Sequence, residues 1–212
     1  MSKYPLNKLV PSFTSESLAD ALTTVADTSI DLAIDSGALD GVPVIGMLTG
    51  MMKVARSYRE RQLVAKLVAF LEEVDKIPAD ERAEFQNSFS DSDDQEDFGG
   101  ALLTLIDRAD DLEKPRIIGR LLVAHAGGVF NRADLMRMSK MVDRCYIEDL
   151  AVLVSFRPGV QSQSAIAVQS LASEGFLHQA GIDGGRADGS GGGVIYDMSQ
   201  YGVWLLEHGL NE

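Results

Sequence analysis

The chain has 212 residues, 45% of them apolar, and its 32 acidic and 19 basic residues give a net charge of −13. This length and apolar fraction are typical of one large or two small domains with a buried core. The acidic balance disfavours nucleic acids and anionic membranes as partners, except where basic residues cluster. The single cysteine, Cys145, excludes an internal disulfide and indicates a buried thiol in a reducing compartment.

Neither a secretory leader nor a membrane span is visible in the sequence. The first ten residues lack a continuous apolar run followed by a small-residue cleavage site. No window reaches the roughly 18 uncharged apolar residues that a spanning helix requires. We therefore expect a cytoplasmic protein, with a peripheral place at the inner membrane as the alternative.

The first part of the chain has the periodicity of helices. Apolar residues at helical spacing predict one amphipathic helix over residues 15–34, closed at Gly37. A second, long helix is predicted from Pro43 to Ile77, where Pro78 ends it. A short helix over residues 79–89 leads into the acidic run 90–97, which is predicted to be an exposed loop because its like charges repel.

Helical spacing continues as far as an Arg-Pro-Gly boundary at residues 157–159. Apolar residues recur over 102–106 and 117–122, and the pair Gly127-Gly128 closes the second of these stretches. A further helical region is predicted over 131–154, with Asn131 as its cap. Residues 1–156 are therefore predicted to form an all-helical, multi-helix bundle.

The last part of the chain has a different pattern. It predicts a helix over 162–173, a strand over 176–182, a glycine-rich loop over 183–193, a strand over 194–197 and a helix that starts at Ser199. The fold class is therefore mainly α, with a small α+β module at residues 157–212.

Two short stretches of this module resemble winged-helix proteins. The run Leu171-Ala-Ser-Glu-Gly-Phe-Leu177 is similar to the join between a recognition helix and the first wing strand. The run Tyr196-Asp-Met-Ser-Gln-Tyr-Gly-Val-Trp-Leu-Leu206 is similar to a second wing strand that passes through a Ser cap into a closing helix. The resemblance covers about the last 50 residues and implies a winged-helix-like fold for the module.

The charges of the module do not suit DNA. Winged-helix DNA binders bring several Lys or Arg residues to phosphates, because counterion release supplies most of the affinity. Residues 162–174 contain no basic residue, and the loop offers only Arg186, flanked by Asp183 and Asp188. We therefore expect the module to contact proteins, with Arg186 as a candidate wing contact, and we rank a DNA-binding regulator as the second alternative.

A glycine-punctuated apolar segment at residues 42–54 is the other candidate contact. Gly46 and Gly50 form a G-x-x-x-G pair beside methionines, and the chain's main basic stretch follows. The segment is either the buried start of a core helix, a surface that engages anionic membranes, or a self-association face. Its candidate contact residues are Gly46, Met47, Gly50, Met51, Met52, Lys53, Arg56, Arg59 and Arg61.

Residues 39–115 also resemble an uncharacterised group of bacterial helical proteins, through stretches such as Leu39-Asp-Gly-Val-Pro-Val-Ile-Gly46 and Arg56-Ser-Tyr-Arg-Glu-Arg61. The resemblance implies a bacterial origin and no activity. It makes a role in phage defence part of the first alternative, a conditionally membrane-associating effector.

The motifs of catalysis and metal binding are missing from the sequence. His125, His178 and His208 are far apart and stand outside any metal-ligand motif. The acidic run has Glu96 where a calcium loop requires Gly, and Ser190 lacks the setting of a nucleophile elbow. We therefore expect no catalytic residues, no metal and no cofactor, and a non-enzymatic protein-interaction or regulatory protein that binds a protein partner or itself.

Overall fold

A computed structural model describes residues 6–52, 58–160, 165–186 and 192–210. The chain is mainly helical, with a small antiparallel sheet near its C-terminus, as the sequence predicts. It divides into two compact units, Met1–Arg132 and Ala133–Glu212. The predicted division, between residues 156 and 157, lies later in the chain than this one.

Every regular element among the described residues of the first unit is a helix. A 3-10 turn at Leu6–Lys8 is followed by α1 (Leu9–Phe13), α2 (Leu18–Asp27), α3 (Ile30–Ser36), α4 (Pro43–Met52), α5 (Tyr58–Val74), α6 (Ala79–Asn87), α7 (Ser92–Arg108) and α8 (Glu113–Ala126).

One predicted helix of this unit is a pair of helices, and another is described only on either side of a gap. The single helix predicted over 15–34 is broken at Thr28, and Ser29 caps α3 by accepting a hydrogen bond from the backbone N–H of Leu32 at 3.3 Å. Gly37 closes α3 in the left-handed conformation, as predicted. The helix predicted over 43–77 contains α4 and α5, and residues 53–57 between them lie outside the described residues.

The acidic run 90–97 is not a loop, contrary to the prediction. From Ser92 onward it forms the first turns of α7, and the Asp91 side chain caps the helix by accepting from the N–H of Asp94 at 2.8 Å. Carboxylates at a helix N-terminus are favoured by the helix dipole and by the unpaired N–H groups there. This attraction offsets the repulsion among like charges on which the loop prediction rested.

A close contact between α5 and α8 organises the core of the first unit. A Cβ added at Gly119 would lie 2.7 Å from Glu73 Cβ and 2.9 Å from the carbonyl oxygen of Phe70, so only glycine allows this approach. The buried Glu73 carboxylate lies 3.5 Å from the Arg120 guanidinium and 2.5 Å from the Lys76 ammonium. The contact is therefore both tightly packed and charge-paired.

The described residues of the second unit form four helices and the sheet. Its elements are α9 (Arg132–Arg144, which starts at the unit boundary), α10 (Ile147–Ser155), β1 (Gly159–Val160), α11 (Ala165–Glu174), β2 (Leu177–Asp183), β3 (Gly193–Met198) and α12 (Gln200–His208). The helix predicted over 131–154 is two helices, because Tyr146 adopts an extended backbone conformation ahead of α10.

The sheet has the order β1-β3-β2 and is antiparallel. Strands β2 and β3 pair from Leu177 opposite Met198 to Asp183 opposite Gly193, with an irregularity between Gln179 and Gly181. The two-residue β1, which the sequence analysis did not predict, adds a short third strand. Strand β2 therefore lies at an edge of the sheet.

Candidate functional site

The junction of α11, β2 and α12 is held by hydrogen bonds and a close backbone contact. Gly175 ends α11 with a φ of 94°, and its carbonyl accepts a hydrogen bond from the Ser199 hydroxyl at 2.6 Å. Ser199 also caps α12, by accepting from the N–H of Gly202 at 3.1 Å. A Cβ at Gly202 would overlap the carbonyl oxygen of Phe176, a residue that is itself fully buried. The start of β2 is thus held against the first turn of α12.

A groove of about 760 Å³ lies between α11 and the β2–β3 hairpin. It is lined by Gln169, Ala172, Ser173, Gly175, Leu177, His178, Gln179, Val194 and Tyr196. Leu177 and Tyr196 are buried and form part of its floor, while Gln169, Ser173, His178 and Gln179 are exposed. The groove therefore offers hydrogen-bonding groups above an apolar base.

Two very exposed apolar side chains belong to the same region. Ile166 is 82% exposed and precedes Gln169 and Ser173 by three and seven residues on α11, so the three share one face of the helix. Ile182 is also 82% exposed, and it pairs across the strands with Val194, a residue of the groove. The opposite face of α11 is buried through Ala167, Val168 and Leu171.

The described residues that line the groove include no Asp, Glu, Lys or Arg. The nearest carboxylate on α11 is Glu174, which forms an ion pair of 2.5 Å with Arg144 of α9. Arg186, the candidate wing contact, is exposed at the end of the described part of the hairpin. This face therefore combines hydrogen-bonding and apolar groups, as protein interfaces do, and it has few cations that would attract a polyanion.

Sequence reasoning identified this region but not its contact residues. The lack of basic residues over 162–174 was visible, but which side of α11 faces outward was not, because Ile166, Ala167 and Val168 are adjacent apolar residues. Only a weak feature of the sequence pointed to the exposure of Ile182: this isoleucine lies between a glycine and an aspartate at the end of the predicted strand.

The part of the apolar segment 42–54 whose side chains are described, residues 42–50, is largely packed inside the first unit. Val42, Val44, Ile45 and Leu48 are buried, and α4 contacts α1 and α5. Lipid contact through these side chains would require the first unit to open. Among the candidate contact residues here, Met47 and Gly50 are exposed.

The two glycines of the G-x-x-x-G pair have different surroundings. A Cβ at Gly46 would overlap the carbonyl group of Asp40, whereas a Cβ at Gly50 would meet no described atom within 4 Å. The Asp40 side chain is held in place by the hydroxyl of Thr49, which donates to its carboxylate at 2.5 Å. Gly46 therefore serves an internal packing contact.

The basic residues that follow this segment are largely engaged with acidic residues of their own unit. Arg59 forms an ion pair of 2.9 Å with Asp107, and Arg61 pairs with Asp31. Lys53 and Arg56 lie outside the described residues, as do the side chains of Met51 and Met52. The positive charges of Arg59 and Arg61 are therefore partly neutralised by carboxylates of their own unit.

The shifted pKa values belong to other parts of the structure. Burial lowers the pKa of Lys66, whose ammonium donates to the carbonyl of Asp107 at 2.8 Å. A hydrogen bond from Lys114 lowers the pKa of Asp110, and one from Arg132 lowers that of Asp94. In the second unit, burial and the hydrogen bond to Asp134 raise the pKa of Tyr201. None of these groups lines the groove.

No helix among the described residues has the length and apolar character needed to cross a bilayer. Within that same part of the chain, no three His, Cys, Asp or Glu side chains converge as metal ligands. No protein-family model, curated protein or solved structure matches the chain.

Proposed function

We propose that the protein is a non-enzymatic adaptor or regulator, and that its second unit is a winged-helix-like module that binds other polypeptides. The observation that carries the proposal is the groove between α11 and the β2–β3 hairpin, which is uncharged in a chain of net charge −13 and flanked by the exposed Ile166 and Ile182. Exposed apolar side chains beside polar hydrogen-bonding groups are typical of protein interfaces.

The order of elements supports the winged-helix interpretation. Helix α11 runs directly into strand β2, a glycine-rich stretch joins β2 to β3, and α12 begins through the cap of Ser199. In such a module α11 occupies the place of the recognition helix and the hairpin that of the wing.

Charge supports a protein ligand over a nucleic acid. The second unit carries five basic and ten acidic residues. Arg137, Lys140 and Arg144 share one face of α9, but Arg144 is paired with Glu174 and Arg137 lies 5.8 Å from the ring of Tyr201. Helix α11, which has the recognition position in this interpretation, contains no Lys or Arg that could meet phosphates.

The hydrogen bonding of the groove supports a binding role over catalysis. The Ser173 hydroxyl donates to the carbonyl of Gln169, one helical turn earlier, at 2.8 Å. Its proton is thus directed to the backbone, whereas a nucleophilic serine would present it to a general base.

A DNA-binding assay tests the choice between protein and nucleic acid. In low salt, the wild-type protein is expected to give no change in the fluorescence anisotropy of a random-sequence duplex. A Gln169→Arg/Ser173→Arg variant adds two cations to the outward face of α11 and is expected to gain weak binding that salt abolishes. Strong, salt-sensitive binding by the wild type would refute the proposal.

Site-specific photo-crosslinking in the native host tests the groove directly. A photoreactive residue at position 169 is expected to give a discrete covalent adduct, whose mass identifies the partner. The matched control places the same residue at Leu32, a 61% exposed position on α3 of the first unit, where no discrete adduct is expected. Absence of any adduct from position 169, or the same adducts from both positions, would contradict the proposal.

A further inference from the structure

We propose that the helical hairpin α2–α3, residues 18–36, is a hinged flap that opens as one unit while the rest of the first unit stays folded, and that Arg61 of α5 is the latch that holds it closed. The flap belongs to the first unit and has no residue in the groove, so this inference stands independently of the proposed function. It rests on the burial of the hairpin, the contact between its two ends and the ion pairs of α3.

The flap is lightly packed. Two of the ten residues of α2, Leu18 and Ala21, are buried, and so is one of the seven residues of α3, Ala33. In α5, by contrast, nine of 17 residues are buried, and in α8 eight of 14. Each flap helix makes its main helix contact with the other one. Little apolar surface therefore becomes exposed when the hairpin leaves the unit as a whole.

The helices of the flap also have little stability of their own. Both are shorter than the roughly 12 to 15 residues at which an isolated helix becomes even marginally stable. The hydroxyls of Thr23, Thr24 and Thr28 donate to the carbonyl oxygens four residues earlier, at 2.9, 2.9 and 2.6 Å. Such bonds weaken a helix slightly, and threonine has a low helix propensity. The flap therefore depends on its contacts with the rest of the unit to stay closed.

The two ends of the flap meet, which provides a hinge. The Ser15 hydroxyl lies 3.4 Å from the carbonyl oxygen of Gly41, and a Cβ at Gly41 would lie 2.8 Å from the Cβ of Ser17. Just outside these residues, the Ser12 hydroxyl accepts a buried hydrogen bond of 2.9 Å from the N–H of Val44, which ties α1 to the start of α4. The chain is thus fixed on both sides of the flap, so the flap can open without displacing α1 or α4.

Ion pairs between α3 and α5 form the latch. The Arg61 guanidinium pairs with the Asp31 carboxylate and lies 3.8 Å from that of Asp35, one turn further along the same face of α3. The side chains of Asp31 and Asp35 are 69% and 43% exposed, and that of Arg61 is 29% exposed. Pairs as exposed as these contribute little stability and are screened by salt. The latch therefore favours the closed flap by a small free energy, which salt can remove.

Hydrogen exchange of the full chain, followed by mass spectrometry, tests the flap and the latch. In the wild type, the amides of α2 and α3 should be less protected than those of α5 and α8 and should share one dependence on urea, as expected of a single opening unit. Arg61→Gln should raise the exchange rates of both flap helices by about two- to fivefold, as expected for the loss of exposed ion pairs. Arg116→Gln is the matched control, because it removes the 2.5 Å ion pair with Glu72 elsewhere in the same unit and should leave exchange in the flap unchanged.

Salt and the acidic partners give a second measurement of the latch. Raising the NaCl concentration from about 0.05 to about 0.5 M should increase exchange in the wild-type flap and reduce its difference from Arg61→Gln. The double variant Asp31→Asn/Asp35→Asn should raise exchange at the same amides. Adding Arg61→Gln to that variant should have no further effect, because the interaction is already lost.

The flap and the latch can be refuted separately. Flap amides as protected as those of α5 in the wild type, or different dependences on urea for α2 and α3, overturn the opening of the hairpin as one unit. Equal effects of Arg61→Gln and Arg116→Gln on the flap overturn the assignment of Arg61 as its latch.

Discussion

The G-x-x-x-G pair of α4 gives a sharp test of whether the segment 42–54 is a core helix or an association motif. In an association motif both glycines allow a partner helix to approach, so a methyl group at either position should weaken the contact. In the structure, Gly46 is packed against the backbone of Asp40, whereas Gly50 faces open space. We therefore predict that Gly46→Ala and Gly50→Ala change stability in opposite directions.

The size of the effect follows from the surroundings of each glycine. A Cβ at Gly46 would lie 2.9 Å from the carbonyl carbon of Asp40 and closer still to its oxygen, where ordinary contacts begin at 3.4 Å. The added methyl group would clash with backbone atoms of Asp40. The Asp40 side chain is hydrogen-bonded to Thr49, so this residue cannot easily move away. Overpacking of this kind costs about 3 kcal/mol. A gain of about 1 kcal/mol in helix propensity leaves Gly46→Ala about 2 kcal/mol less stable.

At Gly50 only the gain in helix propensity applies. The added methyl group meets no described atom within 4 Å, so Gly50→Ala should stabilise the protein by up to about 1 kcal/mol. For a chain of this size, 1 kcal/mol corresponds to about 2 to 4 °C in Tm. Thermal unfolding followed by circular dichroism should therefore place Gly46→Ala below the wild type and Gly50→Ala at or above it. Equal losses at both positions would refute this reasoning and favour the association motif.

Three further predictions concern the contacts that hold each unit together. Gly119→Ala should lower the free energy of unfolding in urea by about 1 to 3 kcal/mol, because the new methyl group would lie 2.9 Å from the carbonyl oxygen of Phe70. An unchanged urea midpoint would contradict the close contact between α5 and α8. Ser199→Ala should cost about 1 kcal/mol, because it removes a helix cap; hydrogen exchange should then rise first in α12. Asp110→Asn should destabilise the protein at neutral pH, since the bond to Lys114 lowers the pKa of Asp110 below its usual 3.8. That contribution is complete above pH 3.8 and is lost as pH falls through the folded-state pKa, so the wild-type and variant melting curves should converge in acid.

The sequence was sufficient for features that depend on one residue and its immediate neighbours. Gly37 ends α3 and Ser199 caps α12, because a left-handed turn and a helix cap each require a particular residue type. The mainly helical class and the small sheet followed from apolar periodicity in the same way.

Features that depend on competition or on tertiary contacts were not predictable. Apolar periodicity continues across Thr28 and Cys145, so the two helix breaks there gave no clear signal. The acidic run 90–97 required a choice between charge repulsion and the pull of the helix dipole, which sequence alone does not weigh. Gly46 and Gly50 are equivalent in sequence, and only the position of the Asp40 carbonyl distinguishes them.

The distribution of ion pairs bears on the choice between a protein and a nucleic-acid ligand more than the net charge does. Arg59, Arg61 and Arg144, which a polyanion could use, each contact a carboxylate of their own unit. Binding a phosphate through any of them would release that carboxylate, so the gain in one charge pair would be offset by the loss of another. An uncharged groove carries no such cost, because its ligand displaces only water from polar groups and from apolar surface. This difference in cost is the physical reason for proposing the neutral face of α11, and not the paired arginines, as the binding surface.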